Sequence, residues 1–316
     1  MSRITIDKET NNSSGMLLKL LFGVGFLLLA DLLQANDIYR LELLQQLNKF
    51  IASLDSGHID KRITHTSFIT HSLSVSQCAK YPYHGEGHGV ERLISNLSAG
   101  IQQGVSCLAG QSPAGHLHEF HEKKAGELLA ILNSDQPKSL QCVSDELFAY
   151  AMAVSPHQQV SSIELKKKIS NSPQLTIFLD TFRIGGLLSK GFDEKTYQEF
   201  FKLSENQITE HLTSQPLRMK GLHRFRNLSA LLFHETVHWL GVTHTNQGPD
   251  LTFLYETCCF GGSDFIASDA LNSGFQTAAC NILKDDELWS AQPGQQKKIW
   301  KDKGYRKLKT TMRQFY

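Results

Sequence analysis

The chain has 316 residues, of which 41% are hydrophobic and 20% charged, proportions that are ordinary for a folded soluble protein. This length allows one large domain or two modest ones, with a sizeable core in either case. The formal net charge of +1 gives no overall field that would attract nucleic acid or an anionic membrane, so we expect no nucleic-acid partner.

Residues 1–35 have the pattern of a signal peptide for export. A lysine precedes an unbroken apolar run at 20–30, which is shorter than the roughly 20 residues needed to span a bilayer. We predict cleavage before Asn36, and Met16 is an alternative start because the residues ahead of it are polar and mixed in charge. The other interpretation, an uncleaved anchor, would have to carry Asp31 within it. The expected location is therefore secreted or periplasmic.

Apolar residues that recur at intervals of three and four predict helices over residues 38–54, 90–101, 116–133, 193–212 and 227–240. Another helix is predicted after Pro137, carrying Leu147 to Val154. Two β-branched stretches, 63–77 and 174–182, are predicted to be strands. Segments containing glycine and proline, 81–89 and 110–115, interrupt these elements. The sequence therefore predicts a predominantly helical α+β fold with a small sheet.

The cysteines all lie in the part of the chain that would be exported: Cys78, Cys107, Cys142, Cys258, Cys259 and Cys280. An even count in an oxidising compartment predicts disulfides, and the alternative is that some are buried thiols. Because no Cys-x-x-Cys spacing occurs, a zinc site built from cysteines is not expected.

A basic stretch, residues 296–316, ends the sequence and holds eight Lys or Arg against one acid, Asp302. Such a stretch could contact an acidic envelope polymer or a lipid surface. The simpler prediction, which we adopt, is a solvated helix face.

The segment HETVHWLGVTH combines three histidines, a glutamate and a glycine. On a helix, His234 and His238 lie four residues apart on one face, so that both imidazoles can bind one metal ion. Glu235 flanks that face and can reach a metal-bound water without binding the metal itself. Gly241 can end the helix in the left-handed conformation, and the chain can then turn to bring back His244 as a third ligand.

This spacing, HExxHxxGxxH, resembles the zinc-binding motif of the metzincin peptidases over eleven residues. The resemblance implies that His234, His238 and His244 hold zinc, with Glu235 as the catalytic base. It also implies a zincin-like core around the HExxH helix, and an upstream strand along which an extended substrate pairs. Residues 174–182 are the candidate for that strand.

Metzincins place a methionine turn beneath the metal, but no methionine occurs between Met219 and Met312. Cys258 and Cys259 are candidates to replace it, because a cysteine sulfur is polarisable and commonly buried. In this hypothesis one sulfur packs beneath the ligands while the other is bridged, with Cys280 as the nearest partner. The alternative is two disulfide cysteines far from the metal.

Other residues compete for roles in such a site. Glu256 could be the third ligand, as in a second class of zinc peptidases, but only His244 explains Gly241. Tyr255 could donate to a substrate oxyanion, although an ordinary buried tyrosine is the simpler interpretation. Two further clusters are predicted to be a loop and a solvated helix face rather than metal sites; they are His84, Glu86 and His88, and His116, His118, Glu119, His121 and Glu122.

The sequence thus predicts an exported zinc-dependent endopeptidase that hydrolyses a peptide or protein substrate through a metal-activated water. Residues 36–160 are predicted to form a helical N-terminal region, and residues 161–316 the zinc-binding catalytic region with its basic tail. One alternative is a zinc hydrolase acting on a non-protein amide, such as a cell-wall cross-link. Another is a catalytically silent protein that holds zinc for binding, although a site without turnover has no use for Glu235.

Overall fold

A computed structural model describes residues 38–60, 67–70, 72–78, 89–113, 115–143, 151–154, 172, 175–180, 228–245, 247–261 and 269–313. The predicted signal peptide, the helix at 193–212 and residues 81–88 of the predicted loop lie outside the described residues, as does the predicted boundary between residues 160 and 161. The last residue of that loop, Gly89, begins a helix. The chain divides into two compact units, Met1–Gln45 and Gln46–Tyr316. The histidine motif belongs to the second unit.

Helices make up most of the described residues, as the apolar periodicity predicted. They are α1 (38–55), α2 (Gly89–Ser106), α3 (Glu119–Asn133), α4 (Leu228–Val237), α5 (Leu251–Phe260), α6 (Asp269–Leu283), α7 (Asp286–Trp289), α8 (Pro293–Asp302) and α9 (Tyr305–Arg313). A π-helical turn, Cys107–Gln111, extends α2, and a 3₁₀ turn, His238–Leu240, extends α4.

The described strands form one mixed sheet in the order β1-β2-β3-β4-β6-β5. They are β1 (His58–Asp60), β2 (Ser67–Ile69), β3 (Leu73–Ser76), β4 (Lys138–Val143), β5 (Ala151–Ala153) and β6 (Leu175–Asp180). Strands β3, β4 and β6 run parallel, whereas β5 pairs with β6 in the antiparallel direction. The α+β prediction with a small sheet is confirmed.

The predicted helix at 147–154 is wrong where the structure describes it, because Ala151–Ala153 form strand β5. Strand β4 contradicts the same prediction, because the helix was expected to begin after Pro137. Its residues are buried at nearly every position, so the strand lacks the alternation of a half-exposed sheet. The disulfide between Cys78 and Cys142 also links the end of β3 to β4.

Helix α1 is present as predicted, but its buried face differs from the predicted stripe. Leu47 and Leu54 are buried, as the spacing required, and so is Phe50, which the stripe left out. Ile38 and Leu41, the first two members of the predicted stripe, are more than half exposed. Periodicity therefore predicted the helix, while tertiary packing decided which residues it buries.

Helix α2 lies unusually close to α4, and two glycines make this approach possible. A Cβ on Gly100 would lie 2.3 Å from the carbonyl oxygen of Ser229, and one on Gly104 would overlap the Phe233 ring at 2.3 Å. Alanine at either position would push the two helices apart. The close packing fixes the helix that carries the histidine motif.

The cysteines form three disulfides, which join Cys78 to Cys142, Cys107 to Cys259, and Cys258 to Cys280. These bonds are compatible with an extracellular location. In the part of the chain that the structure describes, no helix has both the length and the apolar character required to cross a membrane.

Candidate metal centre

Helix α4 and its 3₁₀ extension place the first two histidines of the motif side by side. Helix α4 is buried on every side from Ala230 to Val237, because α2, α5 and β5 pack against it. The ring centroids of His234 and His238 lie 5.2 Å apart. The prediction that these two histidines share one helix face is confirmed.

Gly241 turns the chain back toward that face. It has the left-handed conformation, with φ of 76°, and its N–H donates to the carbonyl oxygen of His238. The ring of His244 then lies 5.0 Å from that of His234 and 4.8 Å from that of His238. Their Nε2 atoms approach closely, with 3.2 Å between those of His234 and His244.

Each of the three histidines has an acceptor at its other ring nitrogen, Nδ1. These acceptors are Glu256 Oε2 at 2.7 Å for His234, the Val242 carbonyl at 2.8 Å for His238, and Asp250 Oδ2 at 3.1 Å for His244. An imidazole that donates its Nδ1 proton presents the lone pair of Nε2 to a metal. The donor atoms lie within 4.8 Å of one another, so the three residues could hold a metal ion. We call them the three-histidine site.

Glu256, the predicted competitor for the third ligand position, lies behind the site. Its carboxylate accepts a hydrogen bond from His234. Burial lowers the pKa of His234, but the charge and hydrogen bond of Glu256 outweigh burial and raise that pKa to about 9. A metal at Nε2 would therefore displace a proton near neutral pH.

Asp250 orients the third histidine and caps helix α5. Its Oδ1 accepts from the Thr252 hydroxyl and from the backbone N–H of Phe253, and its Oδ2 accepts from His244 and from Lys309 Nζ. Burial raises the pKa of Asp250, yet the hydrogen bonds from His244 and from the charged Lys309 hold it well below its usual range. The side chain is thus a fully buried carboxylate.

Lys309 departs from the prediction made for the basic stretch. Most described lysines and arginines of that stretch are exposed, as a solvated helix face requires. Lys309 is only 3% exposed, however, and its ammonium group contacts both Asp250 and the carbonyl of Thr245. The prediction is therefore correct for the surface of α8 and α9 and wrong for Lys309.

Glu235, the predicted base, is 6% exposed and lies beside the sheet. Its Oε2 accepts a hydrogen bond of 2.7 Å from the backbone N–H of Ala153 in β5. The N–H of the next residue, Val154, bonds instead to the Thr176 carbonyl of β6. Because alternate N–H groups of a strand face opposite sides, the Ala153 N–H is directed away from β6.

The candidate substrate-pairing strand, 174–182, is contradicted by the sheet. In the described part of this candidate, β6 pairs with β4 along its whole length and with β5 over residues 177–179, so the middle of the strand is already paired on both edges. Strand β5 is at the end of the described sheet and is the strand that contacts Glu235. Of the two edge strands of the described sheet, β1 and β5, only β5 contacts Glu235, so a chain added beside this residue would pair with β5.

Tyr255 and the histidine cluster at 116–122 belong to the core and to a helix end. The Tyr255 hydroxyl contacts Nδ1 of His121 at 2.8 Å, and both side chains are fully buried, so the simpler interpretation of Tyr255 is the one observed. His118 caps α3 by accepting from the Phe120 N–H. The predicted solvated face is wrong for His121.

Cys258 and Cys259 lie on helix α5 rather than in a turn, and both are bridged. Together with Cys107 they form the second group of candidate ligand atoms among the described residues, but the disulfides occupy these sulfurs. The expectation that only one of them is bridged is wrong, while the pairing with Cys280 is confirmed. Glu256, on the same helix, accepts a hydrogen bond from the imidazole of His234. A cysteine sulfur packed beneath the three histidines stays a prediction.

No family model, curated protein or solved structure matches this chain. The assignment of a function therefore rests on the residues themselves.

The roles of three groups around the site were not predicted from the sequence. Asp250 carries a local signal, since an aspartate directly before an apolar helical stretch is a common helix N-cap. Lys309 has no local signal, because it is 59 residues from Asp250. The Ala153 N–H is a backbone group, and side-chain motifs cannot identify it.

Proposed function

We propose that this chain is a zinc-dependent endopeptidase whose metal is held by His234, His238 and His244. The strongest support for this proposal comes from the hydrogen bonds at Nδ1 of the three histidines. Each imidazole donates from Nδ1 to an acceptor, so that Nε2 is directed toward a common point. Histidines that merely pack or face solvent have no need of this arrangement. Three neutral nitrogen ligands suit zinc and leave a coordination position open, as in catalytic zinc sites.

Zinc, when bound, supplies a Lewis acid that acidifies water and polarises a carbonyl group. Glu235 follows the first ligand and would accept the proton of the attacking water, then pass it to the departing amine. Its hydrogen bond from Ala153 holds the carboxylate through Oε2, which leaves Oε1 for that proton transfer. The low exposure of Glu235 also suits a site from which bulk water is largely excluded.

Strand β5 supports a polypeptide as the substrate. It is antiparallel to β6 at the end of the described sheet, and it contacts the proposed base. An extended peptide that pairs with this strand would pass close to Glu235. The zincin-like core and the metzincin resemblance are part of this proposal, in which α5 with Glu256 stands where metzincins have their methionine turn.

The test is digestion of an unfolded polypeptide by the zinc-loaded protein, with new chain ends identified by mass spectrometry and the metal-free protein as control. We expect internal peptide bonds to be cleaved only when zinc is present. A cell-wall muropeptide with an amide cross-link should be tested in parallel. Cleavage of the muropeptide alone would favour the alternative hydrolase, and zinc binding without any cleavage would favour the silent zinc-holding protein.

A further inference from the structure

We propose that Lys309 of helix α9 is a positioning residue for the metal ligand His244, and that it acts through Asp250. The inference rests on the proposed three-histidine site and adds a part of the chain that the motif does not contain. Lys309 Nζ lies 2.7 Å from Asp250 Oδ2, and the same oxygen lies 3.1 Å from His244 Nδ1. One carboxylate oxygen thus joins helix α9 to the third ligand.

His244 is the ligand that packing holds least. Its side chain is 45% exposed, whereas that of His234 is 11% exposed and belongs to a buried helix. His244 lies between the 3₁₀ turn and α5, in a segment without regular secondary structure. Its orientation therefore depends on the contacts at Nδ1 more than that of a helical histidine does.

Asp250 can hold His244 only while its own charge is balanced. Its side chain is completely buried, and Lys309 brings a full positive charge to it at hydrogen-bond distance. Removing one partner of a buried ion pair leaves an uncompensated charge, which is strongly destabilising. Without Lys309, the carboxylate would be expected to shift toward water and away from His244.

The same ammonium group also holds the backbone beside the ligand. Lys309 donates to the carbonyl oxygen of Thr245, the residue that follows His244. Helix α9 therefore fixes His244 at two points, the acceptor of its Nδ1 proton and the adjacent main chain. A lysine whose only task was to dock α9 would not need both contacts at a metal ligand.

The experiment compares the zinc affinity of Lys309→Met with that of the parent, by competition with a chromophoric chelator at pH 7. Lys301→Met is the matched control, because Lys301 is an exposed lysine at the end of α8. We expect Lys309→Met to weaken zinc binding by about 10- to 100-fold, the usual effect of losing an outer contact of a metal ligand. Lys301→Met should bind zinc as the parent does.

Asp250→Asn and the double variant with Lys309→Met show whether Lys309 acts through Asp250. In the asparagine background there is no carboxylate for Lys309 to balance, so Lys309→Met should not weaken zinc binding further. The double variant contains no uncompensated charge, and it keeps the comparison available if Lys309→Met alone does not fold. Equal zinc affinities of Lys309→Met and the parent, or independent and additive losses in the double variant, would overturn the inference.

Thermal unfolding and peptide cleavage, measured on the same samples, separate the remaining outcomes. A lower unfolding temperature for Lys309→Met with unchanged zinc affinity means that the lysine only docks α9, which overturns the inference. A parent that binds zinc but cleaves no polypeptide removes the proposed peptidase and leaves the inference to the affinity comparison. A parent that binds no zinc overturns both.

Discussion

Glu235 is the residue on which the proposed chemistry depends, and it can be tested without disturbing the metal. Glu235→Gln keeps an oxygen that can accept the Ala153 N–H but removes the basic carboxylate. We expect the variant to bind zinc as the parent does and to lose turnover by about 100- to 10,000-fold. Metal analysis and peptide hydrolysis on one preparation check this, and loss of zinc from the variant would mean that Glu235 is not the base.

Replacing a metal ligand should weaken zinc binding more than replacing the outer contact of a ligand. His244→Ala removes a ligand and should abolish tight zinc binding. Glu256→Gln removes the charge behind His234 but leaves an acceptor at Nδ1, so we expect a loss of about 10- to 100-fold. Chelator competition measures both variants. A greater loss for Glu256→Gln than for His244→Ala would identify Glu256 as the third ligand.

The residues inside the motif were predictable, because their geometry is local. Helical spacing brings His234 and His238 together, and the left-handed Gly241 turns the chain so that His244 lies beside them. The outer contacts were not predictable, because Lys309 and Ala153 come from distant parts of the chain. Fixed intervals in the sequence carry no information about such tertiary contacts.

Helix α5 connects the proposed site to the rest of the protein. Its first turn is capped by Asp250 and its middle carries Glu256, so it supplies acceptors to two of the three histidines. Disulfides from Cys259 to Cys107 and from Cys258 to Cys280 then attach the end of α5 to the π-turn after α2 and to α6. We infer that these bonds fix the helix that orients the ligands.

Removing the Cys107–Cys259 disulfide should therefore affect both stability and zinc binding. The bond spans 152 residues, and replacing both cysteines with serine should lower the free energy of unfolding by about 4–5 kcal/mol. Zinc affinity should fall as well, because α5 is held less firmly. Denaturant unfolding and chelator competition measure the two effects.

The Cys78–Cys142 disulfide is the control for this prediction, because it joins β3 to β4 rather than holding α5. Its removal should lower the stability but leave the zinc affinity of the folded protein unchanged. If the two disulfide variants lose zinc affinity equally, α5 has no special connection to the metal.

Elements with local, periodic sequences were predicted well, and elements defined by pairing were not. Helix α3 ends at the predicted residue and α2 begins next to its predicted start, although α2 continues past the predicted end at residue 101 to Ser106. The apolar stretch of β6 was correctly assigned. Strand β5 was mistaken for part of a helix because it has only three residues and depends on β6 for its hydrogen bonds. Because of this error, the strand that contacts the proposed base Glu235 was not identified from the sequence.

Because His121 is buried, we expect the stability of the whole protein to decrease in acid. Burial is the main cause that lowers the pKa of His121 from 6.5 to about 3. Between these values the unfolded chain binds a proton that the folded protein does not, so stability falls as the pH decreases from 6.5 toward 3. The loss from this residue should be roughly 2 kcal/mol between pH 6.5 and 4.5.

Comparison of metal-free parent and His121→Gln isolates this contribution, since the absence of metal removes the effect of protonating the ligands. Denaturant unfolding at several pH values gives the free energy for each protein. The variant will be less stable at pH 7 because His121 fills the core beside Tyr255, but its stability should decline less steeply toward pH 4.5. Parallel pH profiles would show that His121 does not cause the acid sensitivity.

If one zinc ion held by the three histidines makes this chain a peptidase, the hydrolysis rate must follow the amount of zinc added. Metal-free protein is given increasing zinc, and the hydrolysis of a labelled unfolded polypeptide is measured at each step. The rate should rise in proportion to zinc, stop rising at one equivalent per chain, and stay at background throughout in the His238→Ala variant. Hydrolysis that is independent of zinc, or equal in parent and variant, would contradict the claim.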